Sequence, residues 1–94
     1  MRASDIPTFD TFVTGTIALT KAVTQGPNVS GGICTFQTAK SSETLTVNLC
    51  SDSTGTGGEQ ITGGSPINQK LLNNLNLIWF NANGSVTINY SVQR

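Results

Sequence analysis

The sequence predicts an all-β fold, a small antiparallel β-sandwich or jelly-roll-like barrel of about six to eight strands. Three observations support this prediction. Only 11% of the 94 residues are charged, whereas roughly 25% is usual in globular chains. Thr, Ser, Asn, Gln and Gly supply the polarity instead, and these residues favour strands and turns. Several short segments alternate apolar and polar side chains, which is the pattern of half-buried strands.

The length predicts a single domain over residues 1–94, because a chain of this size buries only one hydrophobic core. Residues 1–11 contain a proline and show no sustained apolar period, so we expect an extended N-terminal arm. Phe9 and Phe12 are aromatic residues in and beside this arm. An arm that carries aromatic side chains often docks on another surface, and the alternative is a frayed terminus.

Alternation along the chain predicts the first strand at residues 12–19. Gly15 interrupts the inward-facing row of this strand and suggests a bulge. Residues 51–64 are rich in Gly, Ser and Thr and predict a long loop or an edge excursion. Residues 65–72 predict a weak further strand, which ends in a turn at residues 73–74.

Two strands are predicted at residues 33–39 and 45–51, joined as a hairpin by a three-residue loop at 41–43. In this register Cys34 lies directly opposite Cys50. Opposed residues of antiparallel strands have Cα atoms roughly 4.5–5.5 Å apart, within the range of a disulfide. The pair is therefore a candidate disulfide, and the alternative is two small buried thiols.

The C-terminal hairpin is the strongest local prediction. Asn83 and Gly84 separate two apolar runs, at residues 75–82 and 85–94, and Asn-Gly favours a tight type I′ turn. The resulting register places Trp79 and Tyr90 on one apolar face, in the core.

The other face of this predicted hairpin carries Ile78 and Phe80 opposite polar residues. Either another segment of the chain covers these two side chains, or they form an apolar patch that meets a partner. Ile78 and Phe80 are therefore candidate partner-contact residues, together with Phe9 and Phe12.

The composition argues against an enzyme and against a cofactor or metal site. The chain has no histidine, which removes the commonest general base and the commonest metal ligand. Asp52 and Glu59 are the nearest pair of carboxylates across the Gly-rich loop, but working carboxylates need rigid supports. We expect no catalytic residues, no metal and no cofactor.

The charge pattern bears on partners. Five basic and five acidic residues are scattered along the chain and give a formal net charge of zero. Nucleic-acid binding needs clustered Lys and Arg, so we expect no nucleic-acid partner. No stretch has the roughly 18 apolar residues of a membrane span, so we expect no membrane partner. Low charge also permits packing against further copies of the chain.

The order of features in residues 32–94 resembles small virion proteins of tailed bacteriophages, the capsid-decorating (cement) proteins and related minor structural domains of β-sandwich type. The segments that carry the resemblance are, in order, Cys34-Thr-Phe-Gln-Thr-Ala39, Leu45-Thr-Val-Asn-Leu49, Gly63-Gly64-Ser65-Pro66-Ile67, Leu75-Asn-Leu-Ile-Trp-Phe80 and Ser85-Val-Thr-Ile-Asn-Tyr90. These motifs are compositional and positional, and they carry no catalytic residues.

The resemblance implies a non-enzymatic virion protein, assembled in the host cytoplasm, that binds the major capsid protein or another virion protein. It also implies a homo-oligomer, with a trimer favoured. The alternative is a carbohydrate- or receptor-binding β-sandwich module of the fibre-tip or adhesin type, in which Trp79 and Tyr90 would stack on a sugar ring.

Overall fold

The computed structural model describes residues 11–56, 58–65 and 69–94. Eight strands lie in these residues, numbered in chain order as β1 (Phe12–Leu19), β2 (Thr24–Gln25), β3 (Ser30–Thr38), β4 (Val47–Cys50), β5 (Glu59–Ile61), β6 (Lys70–Asn74), β7 (Trp79–Ala82) and β8 (Val86–Gln93). A 3₁₀ turn at Leu75–Leu77 separates β6 from β7, and the described residues contain no α-helix. None of their helical segments is long and apolar enough to cross a membrane.

The strands form two antiparallel sheets, which confirms the predicted all-β sandwich. Sheet A has the order β1-β8-β3-β6 and sheet B the order β2-β7-β4-β5. The chain therefore pairs β1 with β8, β2 with β7, β3 with β6 and β4 with β5. This is the pairing of one long antiparallel ribbon rolled over on itself, which is the jelly-roll arrangement.

The strand prediction at residues 12–19 is confirmed, with the bounds of β1. The other strands differ in detail. The segment predicted as a long loop or an edge excursion contains β5, a three-residue edge strand of sheet B that pairs with β4. The weak strand predicted at 65–72 begins at Lys70 and continues through the expected turn to Asn74, because β6 pairs with β3.

The predicted C-terminal hairpin is wrong. β7 pairs with β2 and β4 in sheet B, whereas β8 pairs with β1 and β3 in sheet A. Neither Asn83 nor Gly84 has the positive φ that a type I′ turn requires. Instead, Asn83 lies in the segment that crosses from β7 in sheet B to β8 in sheet A. Its side-chain oxygen accepts a hydrogen bond from Thr46 N at 2.9 Å, and its own N–H donates to Thr46 O at 3.2 Å.

The predicted hairpin between residues 33–39 and 45–51 is also wrong, for the same reason. β3 lies in sheet A and β4 in sheet B, so residues 39–46 cross between the sheets. The crossings before β4 and before β8 lie side by side, because Asn83 binds Thr46 and Gly84 lies against the side chain of Leu45.

The core lies between the two sheets. Phe36 of sheet A and Phe80 of sheet B meet edge to face, with ring centroids 5.6 Å apart and planes at 68°. Around them the buried apolar side chains come from both sheets and from the 3₁₀ turn: Leu19, Cys34, Val47, Leu49, Ile61, Leu75, Ile78, Ala82, Val86, Ile88 and Val92. An edge-to-face pair of this kind adds about 0.5–1.5 kcal/mol beyond the area that it buries.

Gly15 marks close packing and not a bulge. The register of β1 with β8 runs without interruption from Phe12 to Leu19, and Gly15 lies opposite Tyr90. A Cβ atom at Gly15 would come within 2.5 Å of the Tyr90 ring carbon that bears the hydroxyl. The missing side chain in the inward-facing row therefore makes room for the Tyr90 ring.

The two faces of β7 predict unequal losses of stability for the neighbouring residues Phe80, which faces the core, and Trp79, which faces outward. We expect Phe80→Ala to lower the free energy of unfolding by about 3–5 kcal/mol, because it empties a fully buried site. Trp79→Ala removes a half-buried side chain on the outer face, and we expect a loss of roughly 1–2 kcal/mol. Urea unfolding of both variants measures the difference. A larger loss for Trp79→Ala would support the hairpin register and contradict this fold.

Candidate interaction surface

The predicted contact residues separate into three groups. Phe12 begins β1 and is 65% exposed, so it stays a candidate contact. Ile78 and Phe80 are 8% and 0% exposed, which makes the predicted apolar patch wrong. They face the core because β7 belongs to the sheet opposite β8. Phe9 and most of the predicted arm lie outside the described residues.

Phe12 belongs to an apolar row that crosses the outer face of sheet A. The register aligns Phe12 with Gln93, Gln93 with Ile33, and Ile33 with Leu71, so one line of side chains spans all four strands. Leu71 is 83% exposed and Ile33 is half-buried. We call Phe12, Ile33 and Leu71 the apolar row.

The sequence did not identify Leu71 as a surface residue. Leu71 and Leu72 are adjacent, so one must face outward if the segment is a strand, but periodicity does not say which. Their pairing decides it: Leu71 lies opposite Ile33, and Leu72 lies opposite Gly32 and packs against the core. Only the register of β6 on β3 contains this information.

The rest of the outer face of sheet A is polar and uncharged. Three ladder rows beside the apolar row carry hydroxyl and amide side chains, together with one alanine: Thr14, Ser91 and Thr35, then Thr16, Asn89 and Gln37, then Ala18 and Thr87. The strands carry no Lys, Arg, Asp or Glu on this face. The surface therefore offers hydrogen-bonding groups but no charged side chains. Neutral surfaces of this kind can approach a partner without paired charges.

The outer face of sheet B is partly covered. Asn81 donates from its side chain to Gly55 O at 2.8 Å, which holds the β4–β5 loop against this sheet. Trp79 lies on the same face, between Cys50 on one neighbouring strand and Gln25 on the other. Trp79 is half-buried, so its predicted core position is wrong. Tyr90 does face inward and packs against the core.

Two carboxylates of the described residues, those of Glu59 and Asp52, bind partners within the protein. Glu59 forms an ion pair with Lys70, which links the edge strand β5 of sheet B to the edge strand β6 of sheet A. Asp52 accepts hydrogen bonds from the backbone and the hydroxyl of Thr54, and these bonds lower the pKa of its carboxyl. The described residues contain no group of three His, Cys, Asp or Glu side chains that could hold a metal.

The two cysteines do not face each other across neighbouring strands. Cys34 lies in β3 and Cys50 in β4, in opposite sheets, so the register that paired them is wrong. In the structure both are buried thiols. Cys34 Sγ lies 3.5 Å from Gly32 O. Burial raises the pKa of both thiols, and at Cys50 the negative charge of Asp52 raises the pKa further.

Buried thiols of raised pKa predict slow modification. We expect iodoacetamide to label Cys34 and Cys50 slowly in the native protein at neutral pH, because little thiolate forms and access is closed. After denaturation without reductant, mass spectrometry should show both cysteines labelled. An unreduced, denatured chain that takes up no label would instead establish a disulfide.

Comparison with known proteins gives no relative: the chain matches no family model, no curated protein and no solved structure. What its surfaces bind must therefore be inferred from their own chemistry.

Proposed function

We propose that this chain is a non-enzymatic structural protein of a virion, which decorates or cements the capsid of a tailed bacteriophage by binding major capsid subunits. The observation that carries the proposal is the exposed apolar row on the uncharged outer face of sheet A. The proposal places the protein on the assembled virion.

The chemistry of the surface supports a protein partner. Phe12 and Leu71 are large, more than half exposed and in one ladder row, in which Gln93 separates Phe12 from Ile33. Exposed apolar groups with polar neighbours are typical of interaction sites. The neighbouring Thr, Ser, Asn and Gln side chains supply a polar rim, as in ordinary protein interfaces. Charged residues, which are depleted from the centre of such interfaces, are absent from these ladder rows.

The positions of the carboxylates within the described residues support a structural role. Glu43 accepts a hydrogen bond from Leu45 N, Asp52 accepts from Thr54, and Glu59 pairs with Lys70. Each of these groups therefore stabilises a loop or joins two edges. With no histidine in the chain, these are poor components for acid–base chemistry.

The topology adds support by analogy. Jelly rolls occur in viral capsid proteins and in lectins. Because one fold hosts many functions, the jelly-roll topology is compatible with both candidate functions and does not distinguish them. The choice between them rests on the surface.

Capsid binding is tested by cosedimentation with capsids of a tailed bacteriophage whose genome encodes this chain. We expect binding at micromolar concentration, and we expect Phe12→Ser and Leu71→Ser each to weaken it about tenfold, as loss of an apolar anchor does. Leu77→Ser is the matched control, since Leu77 is 53% exposed but lies in the 3₁₀ turn outside sheet A.

Two outcomes would contradict the proposal. If the unmodified protein does not bind these capsids at micromolar concentration, the decorating function is wrong. If Leu77→Ser weakens binding while Leu71→Ser does not, the capsid contact lies outside the apolar row.

A carbohydrate- or receptor-binding module is the second candidate, favoured by the outward position of Trp79. The partly buried indole faces outward beside Gln25 and offers a stacking surface with an amide neighbour. This function predicts glycan-array signals that Trp79→Ala abolishes and Leu71→Ser leaves unchanged. An array without signal at micromolar protein would exclude the carbohydrate candidate.

A further inference from the structure

The two sheets have four edge strands among the described residues, and three of these edges limit pairing with another chain. β2 is two residues long. β5 has three residues and includes Glu59. β6 contains Lys70, whose amine contacts Glu59. Short edges and charged edge residues are the usual protection against addition of a further strand.

β1 has none of these features. It is eight residues long, contains no charged residue and no proline, and keeps a continuous register with β8. An edge of this kind presents a row of backbone N–H and C=O groups to which another strand can bind. Among the described residues, β1 is therefore the unprotected edge of sheet A.

The hydrogen bonds at the end of β1 fix which backbone groups face outward. Thr11 N donates to Arg94 O at 2.8 Å, and Arg94 N donates to Thr11 O at 3.0 Å. Hydrogen-bonded and non-hydrogen-bonded pairs alternate along an antiparallel ladder. The odd-numbered residues of β1 therefore bond to β8, and the N–H and C=O groups of Phe12, Thr14, Thr16 and Ala18 point to the open edge.

The hydrophobic core is also incompletely closed along β1. Val13 and Ile17 face inward from this strand, and Tyr90 faces inward from its neighbour β8, yet all three are only half-buried while packing against the core. Apolar side chains from one more strand would cover them. In the part of the chain that the structure describes, the incompletely covered side chains and the open hydrogen-bonding row lie on the same edge.

We propose that two copies of this chain pair through β1, antiparallel, about a two-fold axis at Thr16. Thr16 then lies opposite Thr16 of the second copy in a hydrogen-bonded pair, and Thr14 lies opposite Ala18 of the second copy. The outward-facing backbone groups meet one another, because even-numbered residues pair with even-numbered residues. The two four-stranded sheets become one sheet of eight strands.

The occupant is a second copy because β1 is complementary to itself in this register. Val13 meets Leu19 of the second copy and Gly15 meets Ile17, so inward-facing residues meet inward-facing residues and Ile17 packs on the Tyr90 ring above Gly15. An axis at Gly15 would bring the two Tyr90 rings together. The zero net charge of the chain adds no overall repulsion between copies.

A two-fold contact of this kind uses the same surface on both copies and closes on itself. It makes a dimer, where the resemblance to phage virion proteins implies a trimer. The dimer does not depend on the proposed capsid binding, because the purified chain alone would form it.

Cysteine cross-linking tests the register. In the proposed dimer the two Thr16 Cα atoms lie about 5.5 Å apart, within disulfide range. We expect Thr16→Cys, oxidised with diamide, which takes up the two thiol hydrogens, to form a covalent dimer. Thr14→Cys is the matched control: Thr14 is also an exposed threonine of β1, but its two copies would lie roughly 14 Å apart.

The results divide clearly. Covalent dimer from Thr16→Cys and little from Thr14→Cys supports the two-fold axis at Thr16. Equal cross-linking of both variants, or more from Thr14→Cys, overturns it. Native mass spectrometry of the unmodified chain should show dimer at micromolar concentration, and a monomer throughout or a trimer overturns the proposal as well.

Amide exchange provides a test that needs no substitution. NMR exchange at low and high protein concentration should show the amides of Thr14, Thr16 and Ala18 becoming protected as the dimer forms. The amides of Val13 and Ile17 should be protected at both concentrations, because they bond to β8. If the even-numbered amides exchange at the same rate at both concentrations, β1 is not the interface.

Discussion

β8 is the strand on which the rest of the structure depends. It pairs with β1 along one side over eight residues and with β3 along the other over six. Its inward-facing residues Val86, Ile88 and Val92 are 5%, 0% and 0% exposed. Because β8 lies between β1 and β3, sheet A cannot form until β8 has paired with both strands.

This constraint explains which sequence predictions failed. Periodicity located β1 with correct bounds, because alternation depends on a strand and its own two faces. It could not locate partners, since pairing in this fold joins residues far apart in sequence. Asn83-Gly84 between apolar runs favours a hairpin locally, yet the better core forms when β7 and β8 enter opposite sheets and Phe80 meets Phe36.

The candidate surface could likewise be predicted from the sequence only where it depends on local patterns and not on strand pairing. Phe12 could be proposed because it lies beside an arm that carries an aromatic residue, and the structure leaves Phe12 exposed. The local hairpin put Ile78 and Phe80 opposite polar residues and left two alternatives, a surface patch or cover by another segment. They are buried because β7 lies in the sheet opposite β8. Leu71 and Ile33 join Phe12 only through two inter-strand registers, and no local pattern in the sequence encodes those registers.

The rolled topology has a consequence for how the protein is made. On the ribosome, β1 and β3 emerge long before β8, which must insert between them. Until residues 86–93 have left the exit tunnel, both strands expose backbone groups and the apolar side chains of an unfinished core. Closing such distant contacts is slow because the loop entropy is lost before the contacts form. The core can therefore close only after β8 has been synthesised, and until then the nascent chain carries exposed strand edges, which favour aggregation.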